Sequence, residues 1–259
     1  SVYILVRICL NVFTPEYTFD HLHTEDLMVW LAVATIIFGS LSALAQKDYK
    51  RMLCYIIIAE VGYMVGGFFL GNRMGISGAI LHIVNDAAMT LALFMAAGIF
   101  IWKTGEDSRD SLKGMFSKMP FTMAGFTLAA LSVIGVPPTC GFFSKWYLIS
   151  GGISAGHYGF VAALIFSSLV NAVLFFRIFE IAHFEPFKDH HAPSDSHHSS
   201  GISSHDDKHT DQHDVAIKEA PLEMLIPFLA VSVMLVVLGL YSGEIVTNII
   251  HFAIPAGII

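Results

Sequence analysis

His82 and Asp86 lie four residues apart in the run His82-Ile83-Val84-Asn85-Asp86-Ala87-Ala88-Met89-Thr90. Lys145 ends the run Gly135-Val136-Pro137-Pro138-Thr139-Cys140-Gly141-Phe142-Phe143-Ser144-Lys145. With Glu180, these are titratable groups in stretches otherwise apolar enough to cross a bilayer. A charge in hydrocarbon costs about 2.5–3.5 kcal/mol on insertion scales, so a charge kept there points to an ion or proton path. Spacing of i, i+4 and i+8 puts His82, Asp86 and Thr90 on one helix face. A histidine beside a carboxylate passes a proton readily, because it titrates near neutral pH. In low dielectric the two groups titrate as a unit. The structural alternative is a polar pair that pins neighbouring helices.

Pro137 and Pro138 donate no backbone hydrogen bonds and interrupt the helical ladder. Carbonyls freed in lipid survive only beside protein, water or a cavity. A lysine eight residues on is then placed near the midplane, where burial makes its proton labile. The alternative is a lysine that snorkels from a helix end. Glu60, in Glu60-Val61-Gly62-Tyr63-Met64, is mid-span and joins the candidates. Lys50 and Arg51 precede that helix, where a positive-inside anchor competes with a functional reading of Lys50. Arg177 and Glu180 lie three apart, a spacing that permits pairing at a helix end. Arg7 sits in the partial first helix, and its partner is expected in the part of the protein before Ser1.

These groups need helices to hold them. The chain has 259 residues, 55% hydrophobic and 14% charged, with mean hydropathy +0.66. Soluble domains carry about 25% charged residues, so the composition predicts an all-α integral membrane protein. Spans need about 20 apolar residues. Candidates are 27–45, 52–71, 77–102, a broken 119–150, 158–183 and 222–242. A partial helix at 1–13 precedes them, and an apolar tail at 243–259 lies at the interface or caps the bundle. Because the chain opens inside an apolar run, 1–259 reads as the C-terminal part of a longer protein.

Lys and Arg fall in alternate loops. Loops 46–51 and 103–118 are rich in them, 72–76 has Arg73 alone, and 14–26 and 151–157 have none. The alternation places 46–51, 103–118 and 184–221 on the cytoplasmic side. A bacterial inner membrane is the expected location. The net charge of −7 owes much to residues 189–223, which hold eight Asp or Glu. The segment 189–214 carries seven histidines: His190, His191, His197, His198, His205, His209 and His213. It cannot bury enough apolar area to offset its ordering entropy, so it reads as a mobile linker. Weak metal binding or a pH-sensitive tail is the rival reading. Three divisions follow: a helical domain at 1–183, the His-rich loop at 184–221, and a terminal helix with its tail at 222–259.

Cys9, Cys54 and Cys140 have no zinc or redox spacing and read as small core residues. Walker A, GxGxxG with an acidic partner, and CxxCH are absent from the sequence, so no nucleotide, redox cofactor or metal site is expected. Without a basic patch, nucleic acid is not an expected partner.

The order Gln46-x-Asp48-x-Lys50-Arg51-x-Leu53, Gly62-Tyr63-Met64, His82 and Gly135-Val136-Pro137-Pro138-xx-Gly141-Phe142-Phe143-Ser144-Lys145 resembles the antiporter-like subunits of respiratory complex I and of Mrp cation/proton antiporters. The stretches Lys145-Trp146-Tyr147-Leu148 and Leu169 to Phe175 look most like the D-type Mrp branch. The resemblance runs from Ser1 to about Phe184. It implies two inverted five-helix repeats in the parent protein, with this chain holding the second. It also implies that Lys145 is the lysine of the broken helix and His82 the first histidine of a central relay. Where this chain has Asp86 and Thr90, many members have a second histidine and a lysine, which puts the usual relay in doubt.

The expected function is therefore translocation of protons, or exchange of cations for protons, along an axis of His82, Asp86 and Lys145 with Glu60 and Lys50. The expected partners are other membrane subunits of a multi-subunit assembly, protons, and Na+ or K+. Enzymatic redox chemistry is not expected on this chain. One alternative is a structural subunit that no longer pumps, with Thr90 as its sign. A quinone-reducing subunit lacks cluster ligands, and a metal-handling role rests on the histidine loop alone.

Overall fold

A computed structural model describes residues 2–21, 24–184 and 219–254. Among them the secondary structure is helical, and the only bridge outside it joins Asp48 to Ser108. Helix α1 (Val2–Arg7) continues as a π turn to Val12, and a second π turn spans Glu16–His21. Then come α2 (Glu25–Leu44), α3 (Tyr49–Phe69) and α4 (Arg73–Thr104). A 3-10 turn at Arg109–Leu112 leads to the short α5 (Met115–Lys118). Helices α6 (Pro120–Ile134), α7 (Cys140–Ser154), α8 (Tyr158–Phe184) and α9 (Leu222–Leu240) complete the bundle. The last described segment comprises α10 (Ser242–Ile245), a π turn at Val246–Ile250 and α11 (His251–Ala253).

Helices α2, α3, α4, α8 and α9 are each long and apolar enough to cross a membrane. Helices α6 and α7 have 15 residues apiece. At 1.5 Å per residue each is about 22 Å long, short of a hydrocarbon core of about 30 Å. They are the two halves of the broken span, parted by Gly135 to Thr139. Gly135 ends α6 with φ +94°, a left-handed cap that suits glycine. Gly141 starts α7 so close to α6 that a Cβ there would lie 1.8 Å from the Ser132 carbonyl oxygen.

The loops sort to two ends. Arg109 donates to the Gln46 carbonyl, and Tyr49 N–H donates to the Asp107 carbonyl at 3.1 Å, joining loops 46–51 and 103–118. Glu219 accepts from Phe121 N–H at 3.0 Å, which brings the segment before α9 to that same end. At the other end, Asn72 caps α4 by accepting from Gly75 N–H, and its amide donates to the Gly151 carbonyl at 2.7 Å. His157 and Asp26 lie 3.4 Å apart there. The basic loops 46–51 and 103–118 thus share an end, opposite the loops that lack Lys and Arg.

Two apolar clusters fill the bundle. One gathers Phe100, Phe126, Phe175 and Phe228 from α4, α6, α8 and α9. The other gathers Tyr63, Phe68, Ile76, Leu148 and Phe160 with Val246 and Ile250 of the terminal segment. Cys9 and Cys140 are buried as expected, but Cys54 is exposed on the outer face of α3. Arg7 finds a partner within its own helix, donating to the Tyr3 hydroxyl at 2.9 Å. Among the described residues Arg177 and Glu180 form no ion pair; both point outward from α8. The His-rich loop lies outside the described residues.

Candidate functional site

The titratable residues occupy the layer between the two apolar clusters. On α3, Ile56 belongs to the first cluster and Tyr63 to the second, and Glu60 falls between. On α4, Ala88 and Leu81 flank the layer that holds His82. On α7, Lys145 falls between Cys140 and Leu148. The same layer holds Ser40 of α2 and Ser167 of α8. A polar stratum thus crosses four helices and the broken pair, with apolar packing above and below it.

Glu60, His82 and Lys145 are at most 4% exposed. His82 Nε2 lies 2.9 Å from Glu60 Oε2, and Nδ1 lies 2.8 Å from Ser144 Oγ. Lys145 Nζ is 3.9 Å from Glu60 Oε1, an oxygen that is buried and accepts no hydrogen bond from another protein group. The ammonium donates instead to the Val133 carbonyl at 2.6 Å and to Ser168 Oγ at 3.1 Å. Its third N–H is left for Glu60. Glu60 is therefore shared, one oxygen on the imidazole and the other facing the lysine.

The helix break makes this geometry. An uninterrupted helix would give the Val133 carbonyl to the N–H of residue 137, but Pro137 has none. Lys145 reaches back from α7 and takes that acceptor. Asn85 ties the start of α7 to α4 by donating to the Cys140 carbonyl at 2.8 Å. Ser144, one residue before Lys145, then faces His82.

The expected His82–Asp86 pair does not form. Asp86 is only partly buried, and the Thr90 hydroxyl donates to it at 3.2 Å. The face of α4 toward α7 continues through Asn85, three residues on, rather than through Asp86 at four. Glu60 takes the place beside His82. The link from His82 to Lys145 accordingly runs sideways through Glu60 and bypasses Thr90. Lys50 is exposed in the first turn of α3. It stands about 15 Å along the helix axis from Glu60, outside the buried cluster.

Sequence reasoning missed Tyr63, Ser144, Ser168, Ser167 and Ser40 as members of this layer. Tyr63 lies three residues after Glu60, and its ring centroid sits 5.1 Å from Lys145 Nζ and 5.5 Å from the His82 ring centroid. The serines give little signal, since a serine in an apolar helix commonly bonds its own i−4 carbonyl.

The profile of the NADH:quinone oxidoreductase/Mrp antiporter transmembrane family matches residues 1–171. The N subunit of the NADH-quinone oxidoreductase of Desulforudis audaxviator (strain MP104C) is 40% identical over 255 residues, covering 98% of this chain and 48% of that protein. The D subunit of the Na(+)/H(+) antiporter of Bacillus subtilis (strain 168) is 34% identical over 169 residues, covering 65% of this chain and 34% of that protein. This chain thus spans half or less of the length of these relatives. A chain in the Mrp complex from Dietzia sp. DQ12-45-1b shares the fold, with TM-score 0.78 at 23% identity over 95% of this chain and 48% of that one. With that match over residues 1–171, five membrane-length helices among the described residues and a shared fold, the chain belongs to the NADH:quinone oxidoreductase/Mrp antiporter transmembrane family.

Proposed function

We propose that this chain supplies a proton-translocating half of an antiporter-like membrane subunit, acting within a Mrp-type or complex-I-like assembly in a bacterial plasma membrane. Its working partners are the other membrane subunits, with Na+ or K+ as the exchanged ion if the assembly is an antiporter. The observation that carries the reading is Glu60 held between His82 and Lys145 in a buried layer.

The arrangement allows proton movement with little rearrangement. An ionised Glu60 accepts from His82 Nε2–H. A neutral His82 then accepts from the Ser144 hydroxyl at Nδ1. When His82 takes up a proton, Nδ1 must donate, and the hydroxyl hydrogen has to turn elsewhere. Ser144 Oγ lies 3.2 Å from the Gly141 carbonyl and 3.4 Å from that of Cys140, so an acceptor waits in either direction. Rotation of one hydroxyl therefore satisfies both charge states of the ring. A shift of about 1 Å would bring the Lys145 ammonium into hydrogen-bond range of Glu60 Oε1. Unit charges 4 Å apart interact by about 4 kcal/mol at an effective dielectric of 20. The protonation of each member thus biases the others, as a translocation step requires.

The test is proton flux in vesicles carrying the complete parent assembly, with Lys145→Ala compared against wild type and assembly confirmed. A fall of tenfold or more supports the reading. Unchanged flux in an intact assembly overturns it and leaves a structural role.

A further inference from the structure

Tyr63 is fully buried, and its hydroxyl donates to Ser167 Oγ at 2.5 Å. The Ser167 and Ser40 hydroxyls lie 2.6 Å apart, and Ser40 donates to the Ile36 carbonyl at 2.7 Å. Each hydroxyl has one hydrogen. The set is satisfied when Tyr63 donates to Ser167, Ser167 to Ser40, and Ser40 to Ile36. The chain then runs one way and ends on a backbone carbonyl of α2. It ties α3, α8 and α2 together and offers no onward acceptor for a proton. It is a tether.

What it tethers is the ring that touches both Lys145 and His82. The ammonium stands 5.1 Å from the ring centroid, within the range of a cation–π contact. The His82 ring is tilted 56° to it. We infer that Tyr63 is a positioning residue, held by Ser167 and Ser40, whose ring keeps His82 on one oxygen of Glu60 and Lys145 facing the other. This rests on the proton-transfer reading above. The charged or titratable groups facing the ring are Glu60 on its own helix, His82 on α4 and Lys145 on α7, while α2 and α8 contribute only hydroxyls.

The experiment measures proton flux against pH in vesicles holding the complete assembly. It compares Tyr63→Leu, Tyr63→Phe, Ser167→Ala, the Tyr63→Phe/Ser167→Ala double variant and Lys145→Ala. Tyr63→Leu is expected to lower flux roughly tenfold and to move the pH of half-maximal flux by about half to one and a half units, the range of an ammonium–ring contact from exposed to desolvated. Tyr63→Phe keeps the ring and is expected to restore the wild-type pH profile, with flux within about threefold of normal. Ser167→Ala breaks the same tether, so the double variant should be no worse than the more impaired single variant. An unmoved pH profile in Tyr63→Leu, in an intact assembly, overturns the inference. If Tyr63→Leu fails to assemble, Ser167→Ala decides: flux equal to wild type overturns, and a loss shared without addition by Tyr63→Phe supports. Lys145→Ala separates the two levels. If it keeps full flux, the underlying reading fails. If it loses flux while Tyr63→Leu and Ser167→Ala both behave as wild type, only the role of Tyr63 fails.

Discussion

Lys145 Nζ donates to the Val133 carbonyl, the acceptor that Pro137 leaves without its helical donor. The helix break and the buried charge are thus one device, since the break exposes an acceptor and the lysine satisfies it. The same ammonium faces the otherwise unbonded oxygen of Glu60.

Lys145→Met therefore removes the ammonium from three groups, the Val133 carbonyl, the Ser168 hydroxyl and the Oε1 side of Glu60. Removing one member of a buried ion pair costs about 3–5 kcal/mol, because the other charge stays buried. The expected result is a clear fall in the thermal stability of the detergent-solubilised assembly. Adding Glu60→Gln to Lys145→Met should recover most of that loss, because no uncompensated charge remains. Equal destabilisation in the single and double variants would mean that Glu60 and Lys145 do not share an energy.

Ser144→Ala tests the hydroxyl that serves both states of His82. Without it, Nδ1 has no partner in either state, and the loss is greater for the charged ring, whose hydrogen bond is worth about 1.5–3 kcal/mol against about 1 kcal/mol for the neutral one, so the protonated state is the one disfavoured. Since 1.4 kcal/mol is tenfold in rate, flux should fall roughly tenfold or more. Ser144→Thr keeps the hydroxyl and should fall less. Wild-type flux in Ser144→Ala would remove the hydroxyl from the transfer step.

Glu60 and Asp86 are predicted to part company. Glu60→Gln keeps the shape and a hydrogen bond to His82 but loses the charge shared with Lys145, so flux should fall tenfold or more. Asp86 is partly buried, bonds Thr90 and lies outside the His82–Glu60–Lys145 contact, so Asp86→Asn should stay within about twofold of wild type. The measurement is vesicle proton flux at matched assembly. The reverse order of effects would move the site one turn along α4 and restore Asp86 to the place the sequence suggests.

The sequence carried the spans well, because a helix that crosses the hydrocarbon core has to be long and apolar throughout. It also placed Lys145 at a broken helix, since two prolines in an apolar run leave few alternatives. It misjudged the partner of His82. Asp86 is nearer in sequence and obeys the i+4 rule, whereas Glu60 lies on another helix and meets His82 only through the packing of α3 against α4. The hydroxyl tether was illegible for a related reason. Ser40 and Ser167 are 127 positions apart, and neither has a pattern that distinguishes it from an ordinary helical serine.

Two glycines give opposite predictions and test the packing behind the site. At Gly141 a Cβ would lie 1.8 Å from the Ser132 carbonyl oxygen, a backbone atom that cannot turn aside. Gly141→Ala must push α7 away from α6, and Lys145 travels with α7, away from Val133. Overpacking of this kind costs about 1–3 kcal/mol and more where backbone is the obstacle. At Gly98 a Cβ meets nothing within 4 Å, and the residue is exposed on α4. Gly98→Ala there is expected to be neutral or to stabilise by about 0.5–1 kcal/mol, since alanine loses less freedom than glycine in a helix. Thermal unfolding of the solubilised assembly reads both. Gly141→Ala should lower the midpoint and the flux together. If stability falls with full flux retained, the distance from Lys145 to Val133 is not critical, and the helix break and the buried charge would be separate features of the fold.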